Sequence, residues 1–242
     1  MSASGRRALV TAGIGIPAAE FAYTTTGGGQ TATIQRIDLT GSIRIAWGDG
    51  DITTVPSGSN TTIQHTYSGV QEYNVGIYGD WDAVTYFSWV SDAKLSFDVS
   101  AATWPSSLSV LWLNNTSVSG DVSAATWPSS LSVLRLFSTS VTFDAATFAN
   151  GASVILVYFY DCGWTQAMSD NCLLAFYNHA DTRTATGGAL QLDGSNAAPS
   201  GTYQPAASCP VDGSTPGKEI AHELINDGCG AGINTWTTVT TS

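Results

Sequence analysis

"DVSAATWPSSLSVLWLNNTSVSG" runs from Asp98 to Gly120, and "DVSAATWPSSLSVLRLFSTSVTF" follows at once from Asp121 to Phe143. The two stretches are near-identical at a step of 23 residues, and that step decides the fold. A third copy, "DAATFANGASVILVYFYDCG", starts at Asp144 with a two-residue deletion, and "AVTYFSWVSDAKLSF" from Ala83 reads as a degenerate first copy. Leu108, Leu111, Leu113 and Val118 recur as Leu131, Leu134, Leu136 and Val141. One such unit is a short strand plus an irregular return, and it cannot bury its apolar ridge alone. Stacked units can, so a solenoid is predicted. Trp104, Trp127 and Phe148 recur at one position and are expected to stack along the return side, with Pro105 and Pro128 fixing the chain after the first two.

The L-x-x-L-x-L spacing and the 23-residue period make residues 83–161 resemble the leucine-rich repeat family. Asn114, Asn115 and Thr116 stand where such repeats place a residue that bonds to neighbouring backbone. With Leu111/Leu113, Leu134/Leu136 and Ile155/Val157 pointing inward, the outward neighbours are Trp112, Asn114, Arg135, Phe137, Leu156 and Tyr158. Large apolar groups with Trp, Tyr and Arg on an open sheet mark a contact surface, so these six residues form the candidate interaction face. Burial under the N-terminal arm or the C-terminal region is the alternative.

Upstream, "ATIQRIDL", "SIRIAW", "TTIQHTY" and "YNVGIYG" alternate apolar and polar residues as strands do. Trp47-Gly48-Asp49-Gly50-Asp51, His65-Thr66-Tyr67 and Tyr73-Asn74-Val75 resemble the PKD family of immunoglobulin-like sandwiches, in a shortened form. The resemblance implies an extracellular spacer or adhesion unit. Asp49-Gly50 is read as a hairpin turn, glycine tolerating positive φ and aspartate bonding locally. A calcium site on Asp49 and Asp51 is the alternative, disfavoured because calcium takes six to eight oxygens and few other acids lie nearby.

After the repeats, Met168, Cys172, Leu173, Phe176 and Tyr177 follow helical spacing within 165–182. "ALQLDGSN" and "INTWTTVTTS" read as strands, and a second helix is expected from Pro216 to Asp227. The expected organisation is mainly β: an extended arm over 1–29, a PKD-like sandwich over 30–82, a leucine-rich-repeat solenoid over 83–164, and a small α/β cap with two helices over 165–242. The four cysteines, Cys162, Cys172, Cys209 and Cys229, match no zinc spacing. Cys209–Cys229 and Cys162–Cys172 are the expected disulfides, with buried free thiols as the alternative.

Catalytic signatures are missing from the sequence. Glu219 and His222 sit three apart on the expected second helix, but no second Glu-x-x-His accompanies them, so a solvated helix face is the better reading. His179 belongs to no motif, and His65 is expected to hydrogen-bond within the PKD-like sheet. Gly13, Gly15 and Ala18 match a dinucleotide fingerprint that Pro17 interrupts. No catalytic residue, metal or cofactor is therefore assigned, and the chain is read as non-enzymatic.

Only 11% of residues are charged, the net charge is −11, and about a quarter are Ser or Thr. Eight scattered basic residues cannot track a phosphate backbone, which argues against nucleic acid, and no apolar run is long enough to enter a membrane. "RRALVTAGIGIPAA" imitates a leader, yet Gly13, Gly15 and Pro17 break its apolar stretch, and a retained Met1 would leave it uncleaved. A surface-protein composition without a working leader suits a virion protein, made inside a cell and working outside it. The expectation is a virion structural or surface subunit, a capsid decoration or tail-associated protein. It would meet copies of itself or virion neighbours through the arm, and protein or host glycan through the repeat face. A secreted or cell-surface bacterial recognition protein is the alternative.

Overall fold

The computed structural model describes residues 17–148, 153–178, 188–201, Ala221 and 236–241. Two layers of antiparallel strands make up the N-terminal half. Strands β1 (Ala19–Thr24), β2 (Gln30–Leu39), β3 (Ile43–Ala46), β4 (Ile52–Val55), β5 (Gly58–Tyr67) and β6 (Glu72–Gly79) precede a 3-10 turn at Trp81–Ala83 and then β7 (Val84–Ser88) and β8 (Leu95–Ser96). The order β4-β3-β6-β1-β8 forms a five-stranded sheet, while β5, β2 and β7 begin a second sheet. Alternation explains the layering: Phe21 and Tyr23 of β1, Val75 and Ile77 of β6, and Ile34 and Phe87 of the second sheet all enter one buried core. Phe21 stacks on Phe87 at 5.9 Å and Tyr23 on Tyr67 at 5.2 Å, so aromatic rings join the two layers.

The arm expected over 1–29 is corrected in its second part. Ala19–Thr24 is a strand, antiparallel to β6 and to β8, because its alternation places Phe21 and Tyr23 inside and Glu20 outside. Residues 1–16, with Gly13 and Gly15, lie outside the described residues.

Strand β7 belongs to two neighbourhoods at once. It runs antiparallel to β2 and parallel to β9 (Val110–Trp112), so the second sheet continues without a break into a β-solenoid of about three turns. From β9 the parallel ladder passes to β11 (Val133–Arg135) and β13 (Leu156–Tyr158). Phe87, Leu111, Leu134 and Val157 form one inward column. A short second ladder pairs β10 (Ser119–Asp121) with β12 (Ser140–Thr142). Trp104 stacks on Trp127 at 5.5 Å, and Trp127 on Phe148 at 6.1 Å, lining the return side. Each such pair adds about 0.5–1.5 kcal/mol beyond the area it buries.

Each coil turns at the same place. Ser91, Asn115, Ser138 and Asp161 all have φ between 53° and 57°. One residue later Thr116 donates to Leu113 O and Thr139 to Leu136 O, both at 2.5 Å, satisfying carbonyls that the turn would strand. Asp98 accepts from Ser100 N and Asp121 from Ser123 N, repeating an Asx turn at the same 23-residue step.

Helix α1 (Gln166–Tyr177) is capped by the Thr165 hydroxyl, which accepts from Met168 N, and buries Ser169, Cys172, Leu173 and Phe176 on one stripe. Beyond it, β14 (Gly188–Gln191) and β15 (Trp236–Thr240) do not form a separate sheet. They extend the parallel ladder, with Leu190 beside Val157 and Val239 beside Leu190, so the second sheet reaches eight strands. The helix expected over 216–227, including Glu219 and His222, lies outside the described residues apart from Ala221, which is helical and buried. His179, Cys209 and Cys229 also lie outside them.

Candidate functional site

The eight-stranded sheet turns its non-core face outward in rows, each fixed by the register between coils. Tyr86, Val110, Val133, Leu156 and Ala189 share the first row. Ser88, Trp112, Arg135, Tyr158, Gln191 and Thr240 share the second. Phe137 and Tyr160, 23 residues apart, stack at 4.2 Å with planes 13° apart just past the strand ends.

The second row holds the chemistry. The Arg135 guanidinium carbon sits over the Trp112 ring, 4.2 Å from its centroid, and over the Tyr158 ring at 4.8 Å. Trp112 meets Tyr86 edge-on at 5.3 Å, and Arg36 of β2 lies 4.1 Å over the Tyr86 ring. The result is a continuous stack: Arg36, Tyr86, Trp112, Arg135, Tyr158. Its two cations differ in their partners. Arg36 pairs with Asp38 at 2.5 Å, which holds the Asp38 carboxyl below its usual value, whereas Arg135 has no carboxylate partner among the described residues. Trp112 Nε1 and Arg135 Nε are buried without a hydrogen-bond partner among the described residues. Each such donor costs about 1–3 kcal/mol, a cost folding alone does not require.

The six expected face residues are not all brought together. Trp112, Arg135 and Tyr158 are adjacent and half-buried, Leu156 is one row away, and Phe137 stacks with Tyr160. Asn114 is corrected: only 8% exposed, it is buried, because the strand has ended at Trp112 and the chain is turning through Asn115. The expected inward pair Ile155/Val157 is corrected to Val157/Phe159. Ile155 is only half-buried and precedes the strand, like Ser132 one coil earlier. Tyr160, Tyr86 and Arg36 were missed. A further step of 23 from Phe137 reaches Tyr160, and 24 back from Val110 reaches Tyr86, but nothing in the repeat points to Arg36 on an antiparallel strand.

The W-G-D-G run closes the β3–β4 hairpin. Trp47 N donates to Asp51 O at 3.0 Å, and Asp51 N donates to Asp49 Oδ1 at 3.1 Å. His65 Nε2 lies 2.7 Å from Asp49 Oδ2, and its ring stacks on Trp47 at 4.9 Å. Asp49, Asp51 and His65 are the one group among the described residues whose ligand atoms converge, within 4.8 Å of one another. An imidazole with two carboxylates would suit a first-row divalent ion better than calcium. Both Asp49 oxygens are nevertheless already engaged, Oδ1 by Asp51 N in the turn and Oδ2 by His65 of β5.

The expected Cys162–Cys172 disulfide is corrected as well, since both are free thiols. Cys162 takes the place that Thr139 holds one coil earlier, its thiol donating to Leu136 O at 3.3 Å, and Cys172 is buried on α1. Burial pushes the Cys162 thiol up to about 11 and the Cys172 thiol well above its usual value, so neither is poised as a nucleophile.

Among the described residues no helix is long and apolar enough to cross a membrane. Comparison with protein-family models, with curated proteins and with solved structures gave no match.

Proposed function

We propose that the chain is a non-enzymatic surface subunit of a virion, a capsid decoration or tail-associated protein, which engages a protein neighbour or host surface through the outer face of its eight-stranded sheet. The observation that carries this reading is the Trp112–Arg135–Tyr158 stack, half-buried and holding two donors without a partner among the described residues. Trp, Tyr and Arg are the residues that dominate binding energy when a partner covers them. The low charge, the leucine-rich-repeat spacing and the PKD-like W-G-D-G and H-x-Y elements support a surface role outside a cell. The same face would serve a secreted or cell-surface bacterial recognition protein, which differs in what anchors it.

The test is binding of the purified, labelled chain to host envelope and to purified virion proteins, beside Trp112→Ala and Tyr158→Ala. The reading expects one of these targets to bind and each substitution to weaken it at least about tenfold, a typical hot-spot effect. Binding unchanged by both substitutions would refute it.

A further inference from the structure

We infer that the face takes an acidic saccharide, with the sugar carboxylate seated on Arg135; this rests on the proposed role of the face. The argument starts from the geometry of the stack. Trp112 and Tyr158 spend their faces on the guanidinium between them, so they cannot offer those faces to a sugar ring. What the row presents instead is ring edges, and aromatic edges carry the positive part of the quadrupole. A guanidinium clamped flat between the faces of two rings whose edges point outward makes a locally positive ridge on a chain whose net charge is −11.

That cation is also unspent. Arg36 has Asp38 and Lys94 has Asp92, while Arg135 has no ion pair among the described residues. The nearby Asp161 accepts at Oδ1 from Ser195 N at 2.9 Å. A clamped fork loses little freedom on taking a planar carboxylate in two parallel hydrogen bonds.

The rest of the row decides what carries the carboxylate. Beyond Tyr158 come Gln191 and Thr240, whose Oγ1 is buried without a partner among the described residues; Ser88, on the other side, is only 2% exposed and takes no part. One cation followed by neutral hydrogen-bonding groups fits a ligand with one charge and many hydroxyls. An acidic peptide or a polyphosphate carries charge at every step, would find no second cation in the row, and would be repelled by the acidic chain as a whole.

The experiment is calorimetric titration of the full chain with sialyllactose, whose single carboxylate sits on an otherwise neutral trisaccharide, with its methyl ester, and with a short poly-glutamate. The ester keeps the rings and removes the charge. Sialyllactose should bind at least about tenfold more tightly than the ester and the peptide. Arg135→Gln should abolish that difference, and Arg135→Lys should restore part of it; near-ultraviolet circular dichroism confirms that each variant is folded. Equal binding of acid and ester, or discrimination that survives Arg135→Gln, overturns the saccharide inference, and the face itself stands if Trp112→Ala still weakens both. Preference for poly-glutamate overturns the inference in favour of a peptide. No binding of any of the three probes overturns it too, and the envelope and virion assay then decides the face separately.

Discussion

Gly120 is the position where the solenoid has least room, and Gly120→Ala is the sharpest test of its packing. Its φ is +101°, and an added Cβ would fall 1.9 Å from Asp98 Oδ1 and 3.1 Å from Val99 N. Backbone strain in that region costs about 1–3 kcal/mol. The Asp98 carboxylate must also move, and it holds Ser100 N at 2.8 Å and Ser100 Oγ at 2.6 Å. Losing those two bonds costs roughly 0.5–1.5 kcal/mol each. Set against about 0.4–1 kcal/mol gained from a stiffer unfolded chain, the net loss is about 3 kcal/mol.

Gly50 supplies the control, because its φ is +109° and nothing lies within 4 Å of its Cβ position. Gly50→Ala therefore carries the strain without the clash and should cost about 1–2 kcal/mol. For a chain of this length the difference of roughly 2 kcal/mol corresponds to a gap of about 4–8 °C in Tm between the two variants. Urea unfolding of Gly120→Ala, Asp98→Ala and the double variant closes the cycle. With the carboxylate gone, the double variant should be about 1–2 kcal/mol more stable than the sum of the single losses. Equal losses at Gly120 and Gly50, together with additivity within about 0.5 kcal/mol, would refute the claim that coil-to-coil packing makes glycine obligatory here.

Leu134, fully buried between Leu111 and Val157, should lose about 3–5 kcal/mol as Leu134→Ala in the same unfolding assay, and a loss below about 1 kcal/mol would mean the column is not close-packed. The raised thiol of Cys162 is neutral in the fold, so its contribution is complete below its unfolded value of 9.0 and is lost as pH climbs toward about 11. Stability should fall across that window, and Cys162→Ala should flatten the slope by up to about 1.4 kcal/mol per pH unit, leaving the part due to Cys172 and to the buried phenols of Tyr23 and Tyr67. Calcium at millimolar concentration should move Tm by less than about 2 °C if Asp49 and Asp51 only close the turn, and a shift of 5 °C or more would establish a calcium site there. Self-association through the arm is tested by the solution mass of the chain with and without residues 1–16, because cutting as far as residue 29 would remove β1 itself; equal masses would exclude arm-mediated assembly.

The solenoid could be read from sequence because every contact it makes is a contact between copies. Leu111 pairs with Leu134 and Leu134 with Val157, each 23 places on, so one period in the sequence states the centre of the ladder. The helix stripe over Ser169–Phe176 was legible for the same reason, its partners lying three and four residues away. Asn114 misleads because strand alternation does not extend past the strand end, where left-handed Asn115 turns the chain, and Ile155 misleads because it precedes the strand, two residues ahead of the true inward register. Antiparallel pairing over long separations leaves no such trace. That Ala19–Thr24 joins β6 and β8, and that β2 lies beside β7 with a register shift, follows from packing two layers together.

The binding face depends on both kinds of order, and this explains why half of it was visible. Trp112, Arg135 and Tyr158 align by the parallel step, whereas Arg36 reaches Tyr86 only because β7 is shared between the antiparallel and the parallel strands. A one-residue deletion between Trp112 and Arg135 would move the valines and leucines of one coil onto the open face and break the stack in its middle. The same deletion in the β4–β5 connection, at Pro56 or Ser57, would leave Trp112, Arg135 and Tyr158 stacked. The two lesions therefore separate the saccharide site from its N-terminal support: the first should abolish discrimination of acid from ester, and the second should preserve it.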